Sequence, residues 1–174
     1  MEVVAVQFDI AWEDKAANHR RMESMLEGAG VEPGAYVLLP ELADTGFSLN
    51  VPAIVDERST AWAADLARRR RIWVQMGYPA IGPDGMGRNC ATIFSPDGET
   101  IGTYEKVHPF SYGREVERYA GGGRLLISEL DGQPGQPMVC PLICYDLRFP
   151  ELWRLAASAG AEFFTLGASW PNAR

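Results

Sequence analysis

Cysteine and histidine are scarce, and cation excess is absent. Three cysteines and two histidines occur in 174 residues. An odd cysteine count suits a reducing compartment, so a cytoplasmic location without disulfides is expected. Cys140 and Cys144 would stand about 13 Å apart along an extended strand, too far for a disulfide or one shared metal ion. With the two histidines far apart and no close cysteine pair, no zinc site and no other cofactor is expected. The net charge of −7 argues against a nucleic acid or an anionic membrane surface as partner. Arg68 to Arg71 form one basic run, at the end of a predicted helix, where it serves the helix C-terminus and solvent. No apolar run reaches membrane-spanning length. The start lacks a cationic leader and is broken by Gln7 and Asp9, so it reads as a first strand and not a signal peptide. No Gly-x-Ser-x-Gly elbow is present, which removes the usual serine-hydrolase reading. Three consecutive glycines at 121–123 lack the phosphate-loop pattern and mark only a turn.

What is present is ordinary globular material: 47% hydrophobic and 22% charged residues, enough for one domain with a sizeable core. Residues 3–9 alternate as a half-buried strand. Residues 15–26 carry a modest apolar helical stripe, with Gly28 and Gly30 as stop signals. Residues 36–39 form a short strand cut off by Pro40, and Ser59 is placed to cap a helix running to Arg71. Residues 72–78 predict a third strand. Two strands, 89–94 and 100–105, flank Ser95-Pro96-Asp97-Gly98, a strong turn signal, and predict a hairpin. Strands at 125–130 and 138–143 pair around Asp131-Gly132; Pro141 inside the second implies a bulge or an edge position. A helix over 150–159 and a strand over 162–166 follow. This order predicts an α+β or α/β layered domain spanning residues 1–174, with helices over a mixed sheet. The last strand leads into Ser169-Trp170-Pro171 and stops at Arg174 without a closing helix, an end that looks cut short.

Chemistry concentrates at three strand ends. Glu41, Lys106 and Cys144 each follow an apolar strand directly, and strand ends of a layered sheet cluster in space. Singly, Glu41 reads as a solvated loop acid, Lys106 as a charge blunting a strand end, and Cys144 as a small buried hydrophobe. Together, a thiol, an ammonium and a carboxylate form the set that cysteine-based acyl transfer requires. The ammonium stabilises the thiolate and then the tetrahedral oxyanion, while the carboxylate moves protons.

Leu39-Pro40-Glu41-Leu42, Tyr104-Glu105-Lys106-Val107-His108-Pro109-Phe110 and Ile143-Cys144-Tyr145-Asp146-Leu147-Arg148-Phe149-Pro150-Glu151-Leu152 resemble, in order and approximate spacing, the three signature segments of the nitrilase superfamily of carbon–nitrogen hydrolases. The cysteine segment is the most specific, and it is similar to the amidase-type, omega-amidase-like branches. The resemblance implies a four-layer α-β-β-α sandwich of two mixed sheets flanked by helices, here incomplete by about a third at the C-terminus. It further implies Glu41 as general base and acid, Lys106 as oxyanion stabiliser and Cys144 as nucleophile. A second glutamate should orient the site; Glu115 fits best, with Glu117 as rival two residues on. The backbone N–H of Tyr145 would complete an oxyanion hole. Tyr112, Trp170, Phe110 and Arg148 are further pocket candidates, with core packing favoured for Phe110. For Arg148, pairing with Asp146 or Glu151 is favoured over substrate. The implied reaction is hydrolysis of a small linear amide, with dicarboxylic monoamides as candidate substrates, through a thioester and without a cofactor. The family's dimer implies a homo-oligomer. The competing expectation, from another class, is a non-catalytic association module, which the short C-terminus favours and the intact three-residue set opposes.

Overall fold

Strand periodicity divides the core into layers. In the computed structural model, which describes residues 1–130 and 137–170, a five-stranded sheet runs in the order β1 (Val3–Ala5), β2 (Tyr36–Leu38), β3 (Trp73–Ile81), β4 (Gly87–Phe94) and β5 (Thr100–Glu105). β1, β2 and β3 pair in parallel, and β3, β4 and β5 pair antiparallel. A second sheet has the order β6 (Ser128–Glu129), β7 (Met138–Ile143) and β8 (Phe163–Gly167), antiparallel then parallel. Adjacent residues of β2 and β3 serve opposite layers, as a two-residue repeat requires. Val37 and Val74 pack with Met22 and Leu26 of α1 (Lys15–Gly28) and with Ala63 and Leu66 of α3 (Arg58–Arg70). Tyr36 and Trp73 face the other way and meet Val139 and Phe163 of the second sheet. On the far side of that sheet, Leu152 and Ala156 of α4 (Pro150–Ser158) cover Cys140 and Leu142. A one-turn helix α2 (Val51–Ile54) completes the set. The result is helix, sheet, sheet, helix, the four-layer α+β arrangement that the resemblance implies.

The two sheets are also tied by polar contacts. Gln75 Oε1 in β3 accepts from Tyr36 Oη at 2.7 Å and from Thr165 Oγ1 of β8 at 2.5 Å. The hairpin turn forms as expected, with Gly98 N donating to Ser95 O at 2.8 Å and Gly98 at φ +81. The turn expected around Asp131-Gly132, and Pro171, lie outside the described residues.

Two local expectations change, and at Pro141 the edge position rather than the bulge is met. Ser59 is not the cap of α3; Glu57 holds that position. The Ser59 hydroxyl is buried and accepts from Lys15 Nζ at 2.8 Å, while Asp56 takes the same ammonium at 2.8 Å. A buried lysine needs both partners, and that need outweighs helix capping. The first strand is shorter than residues 3–9, because pairing with β2 ends at Ala5 opposite Leu38. Pro141 produces no bulge: its register with Thr165 is continuous. It sits past Val139, the last β7 residue paired with β6, so β7 has a ladder on one side only there.

Candidate functional site

Four chain segments deliver the site from strand ends. β2 runs out into Pro40-Glu41, β5 into Lys106, β7 into Cys144, and β8 into Ala168-Ser169. β4 runs antiparallel to β5, so its beginning lies at the same edge: Lys106 N donates to Asn89 O at 2.8 Å.

Glu41, Lys106 and Glu115 are each at most 1% exposed. They close into a ring with Asn89. Lys106 Nζ donates to Glu41 Oε1 at 2.6 Å and to Glu115 Oε2 at 2.8 Å. Asn89 Nδ2 donates to Glu41 Oε1 and to Glu115 Oε1, both at 2.8 Å. Two carboxylates around one ammonium leave a net buried negative charge, tolerable only when the remaining lone pairs find donors. Backbone amides supply them. Ser169 N donates to Glu41 Oε2 at 3.1 Å and Phe110 N to Glu115 Oε2 at 2.6 Å. These anions push the Lys106 amine well above its ordinary value despite burial, so it stays an ammonium. Among the described residues its third N–H has no hydrogen-bond acceptor, and the Phe47 ring lies 5.7 Å from Nζ. Glu117, the rival of Glu115, is outside this ring. It lies at the surface and pairs with Arg114 at 2.8 Å.

Cys144 stands where β7 passes into the 3-10 turn Cys144–Arg148, with its backbone in the left-handed region at φ 46. For a residue with a Cβ that conformation costs about 1–2 kcal/mol and needs outside support. Asp146 supplies it. Its Oδ2 accepts from Ile143 N at 3.1 Å and Tyr104 Oη at 2.8 Å. Its Oδ1 accepts from His108 N at 3.0 Å and contacts His108 Nδ1 at 2.9 Å. One buried carboxylate therefore fastens both the cysteine turn and the segment after Lys106.

The thiol is pushed up to about 12, mainly by burial and by the charge of the Glu41 carboxylate; the Lys106 ammonium and the Trp170 indole pull it down less. Lys106 favours the thiolate while it is itself engaged by two carboxylates. Among the charged neighbours of the thiol, Glu41 bears on it most strongly.

A broad cleft of about 1680 Å³ opens over the sulfur, lined among others by Phe47, Phe110, Cys144, Tyr145, Arg148 and Trp170. Glu41 and Lys106 lie buried beside it and do not line it. Tyr145 packs edge-on against Phe110 and Phe149, with ring centroids 5.0 and 5.3 Å away. Tyr112 stands at the rim, 85% exposed. Trp170 Nε1 donates to Cys144 Sγ at 2.8 Å. Phe110 is half-buried on the cleft wall rather than in the core. Arg148 is also a correction: Asp146 is fully engaged elsewhere, and among the described residues Arg148 makes no ion pair with Glu151 or any other acid. It lies exposed on the cleft wall. Among the described residues, no group of three or more His, Cys, Asp and Glu side chains is placed to hold a metal ion.

Sequence reasoning missed Asn89 and Gly77. Asn89 was out of reach by one residue: the register read outward from the turn sets Asn89 opposite Glu105, and only the shift between Ile93 and Phe94 puts Cys90 there and Asn89 beside Lys106. Gly77 had no local signal. A Cβ there would come 2.2 Å from Pro40 O and 3.0 Å from Glu41 Cα, so β3 lets the glutamate segment lie directly on its backbone. Gly77→Ala is expected to destabilise the fold by about 1–3 kcal/mol and to displace Glu41. Urea denaturation checks the first effect and turnover the second; an alanine variant matching wild type in both would show that the segment has room to shift.

A profile of the carbon-nitrogen hydrolase family matches residues 2–173. This chain belongs to the carbon-nitrogen hydrolase family. It is 30% identical over 176 residues to the 2-oxoglutaramate amidase of Bacillus subtilis (strain 168), covering 99% of this chain and 66% of that protein. Against the omega-amidase YafV of Yersinia enterocolitica it is 28% identical, over 100% of this chain and 65% of that one. Among solved carbon-nitrogen hydrolases, XC1258 from Xanthomonas campestris, with an arsenic adduct in its active site, superposes with a TM-score of 0.83 at 28% identity, covering 99% and 66%. Saccharomyces cerevisiae Nit3, a member of branch 10 of the nitrilase superfamily, gives 0.82 at 25% identity, covering 98% and 65%. The chain thus spans about two thirds of the length of these carbon-nitrogen hydrolases.

Proposed function

We propose that this chain hydrolyses the C–N bond of a small linear amide through a cysteine thioester. The observation that carries this reading is the buried ring of Glu41, Lys106 and Glu115 beside a cleft-lining thiol that accepts the Trp170 indole N–H. Cys144 Sγ attacks the carbonyl carbon while Glu41 takes the thiol proton. The third N–H of Lys106 and the backbone N–H of Tyr145 hold the oxyanion. As the C–N bond breaks, Glu41 passes that proton to the departing nitrogen and ammonia leaves a thioester. Water, deprotonated by Glu41, attacks the thioester; the C–S bond breaks, the acid departs and the thiol recovers its proton. Glu115 holds Lys106 in place throughout.

Two observations support an amide that also bears a carboxylate. Relatives of this chain are an omega-amidase and a 2-oxoglutaramate amidase, and Arg148 offers a guanidinium on the cleft wall with no acidic partner among the described residues. Ammonia release from dicarboxylic monoamides and from neutral amides of equal length tests both parts. Preference for the monoamides is expected, and Arg148→Ala should raise KM for them about 10- to 100-fold with kcat little changed. A lack of turnover on any amide, together with iodoacetamide labelling of Cys144 no faster than of Cys90 and Cys140, would return the chain to an association role.

A further inference from the structure

The buried ring contains one member with no charge and no assigned task. Asn89 is 1% exposed and points its amide nitrogen at two carboxylates. Its orientation is dictated by that surrounding, since a flipped amide would aim a carbonyl oxygen at two anions. The price of the orientation is visible: Asn89 Oδ1 is buried without a hydrogen-bond partner among the described residues. A buried unsatisfied carbonyl is unfavourable by about 1–3 kcal/mol, so something else holds the side chain there.

We propose that Asn89 is a positioning residue that, with Lys106, occupies Glu41 Oε1 and leaves Oε2 as the oxygen that exchanges protons with the thiol. Glu41 Oε1 receives two donors, Lys106 Nζ and Asn89 Nδ2, which use both of its lone pairs. Glu41 Oε2 receives one, Ser169 N at 3.1 Å, and keeps a lone pair for a proton. The second Asn89 proton goes to Glu115 Oε1, so the same amide fixes the distance between the two carboxylates across Lys106. The ionisable groups facing this pair are Lys106 at the exit of β5, Cys144 in the turn after β7, and Tyr119, whose hydroxyl donates to Ser48 O at 2.8 Å. Among the described residues, only Lys106 and Asn89 donate to both acids through side chains. Removing the amide protons therefore favours the protonated carboxyl at a step that needs the ionised one.

This inference rests on Glu41 acting as the base, and the test is chosen to work even where no amide substrate is found. The rate of Cys144 alkylation by iodoacetamide, followed by peptide mass spectrometry from pH 4 to 9, reads base assistance directly. Asn89→Leu keeps the volume and removes both donors; Asn89→Asp keeps the shape and replaces donors with a third acid; Asn89→Ser is the smaller fallback. The acidic limb of the profile is expected to move to higher pH in all three, furthest in Asn89→Asp, with a roughly 10- to 100-fold slower rate at pH 6 in Asn89→Leu. Glu41→Gln should erase that limb. An acidic limb unmoved in whichever of the three variants melts within a few degrees of wild type overturns the proposal. A rate loss that follows only the unfolded fraction, without a displaced limb, overturns it as well and makes Asn89 structural. Wild-type alkylation with the expected limb but no amide turnover would count against the amidase reading and leave the role of Asn89 standing.

Discussion

Replacing Cys144 by alanine is expected to lower ammonia release by roughly five to six orders of magnitude while the fold survives. The side chain lost is one sulfur, 7% exposed at residue level, whose hydrogen-bond partner among the described residues is the Trp170 indole. Alanine adopts the same left-handed backbone at about the same cost, and Asp146, which fixes the turn, does not touch the sulfur. The melting temperature should therefore stay within a few degrees. Activity should not, because neither neighbouring carboxylate can substitute: Glu41 is saturated on one oxygen, and Glu115 is held by Lys106, Asn89 and Phe110 N. Parallel ammonia and thermal-melt measurements check the split. Turnover above about 1% of wild type in the alanine variant would sink the thioester route.

Lys106→Met is expected to damage both stability and rate. Methionine fills much of the lysine's volume but leaves Glu41 and Glu115 buried and facing each other with only Asn89 between them. Stripping one partner from a buried ion pair costs about 3–5 kcal/mol. Losing an oxyanion donor lowers kcat by a further factor of about 10²–10³. The pH dependence has a definite sign. The Lys106 amine is raised in the folded state, so its contribution is complete below the ordinary lysine value and is lost only as pH rises beyond it. Wild type thus keeps the full contribution from pH 5 to 9. The variant should instead gain relative stability on acidification, because protonating one carboxyl removes the repulsion that lysine had balanced. Urea denaturation at pH 5 and pH 8 reads this. A stability loss equal at both pH values would mean that lost packing, not charge, is responsible.

The residues that carry charge and shape at single positions could be read without coordinates. Glu41, Lys106 and Cys144 announce themselves because each interrupts an apolar strand, and the hairpin around residues 95–98 follows from local turn chemistry. What stayed hidden depends on contacts between distant parts of the chain. Whether Ser59 caps a helix or takes Lys15 is decided 44 residues away. Whether Arg148 pairs with Asp146 depends on Tyr104 and His108 having taken that carboxylate first. The ionisation of Cys144 is likewise a balance of burial and three neighbours, none adjacent in sequence. Composition could anticipate a thiol beside a lysine; it could not weigh which of the lysine's partners would hold it.

Asp146 receives donors from the residues on both sides of Lys106, at Tyr104 and His108, and from Ile143 just before the cysteine. The segments that carry the amine and the sulfur therefore share one anchor. Changes along the open wall of the cleft can alter which molecules enter without re-spacing the two atoms that would meet the carbonyl. A scaffold wired in this way can explore new clients by drift at its margins while its inner geometry is inherited intact.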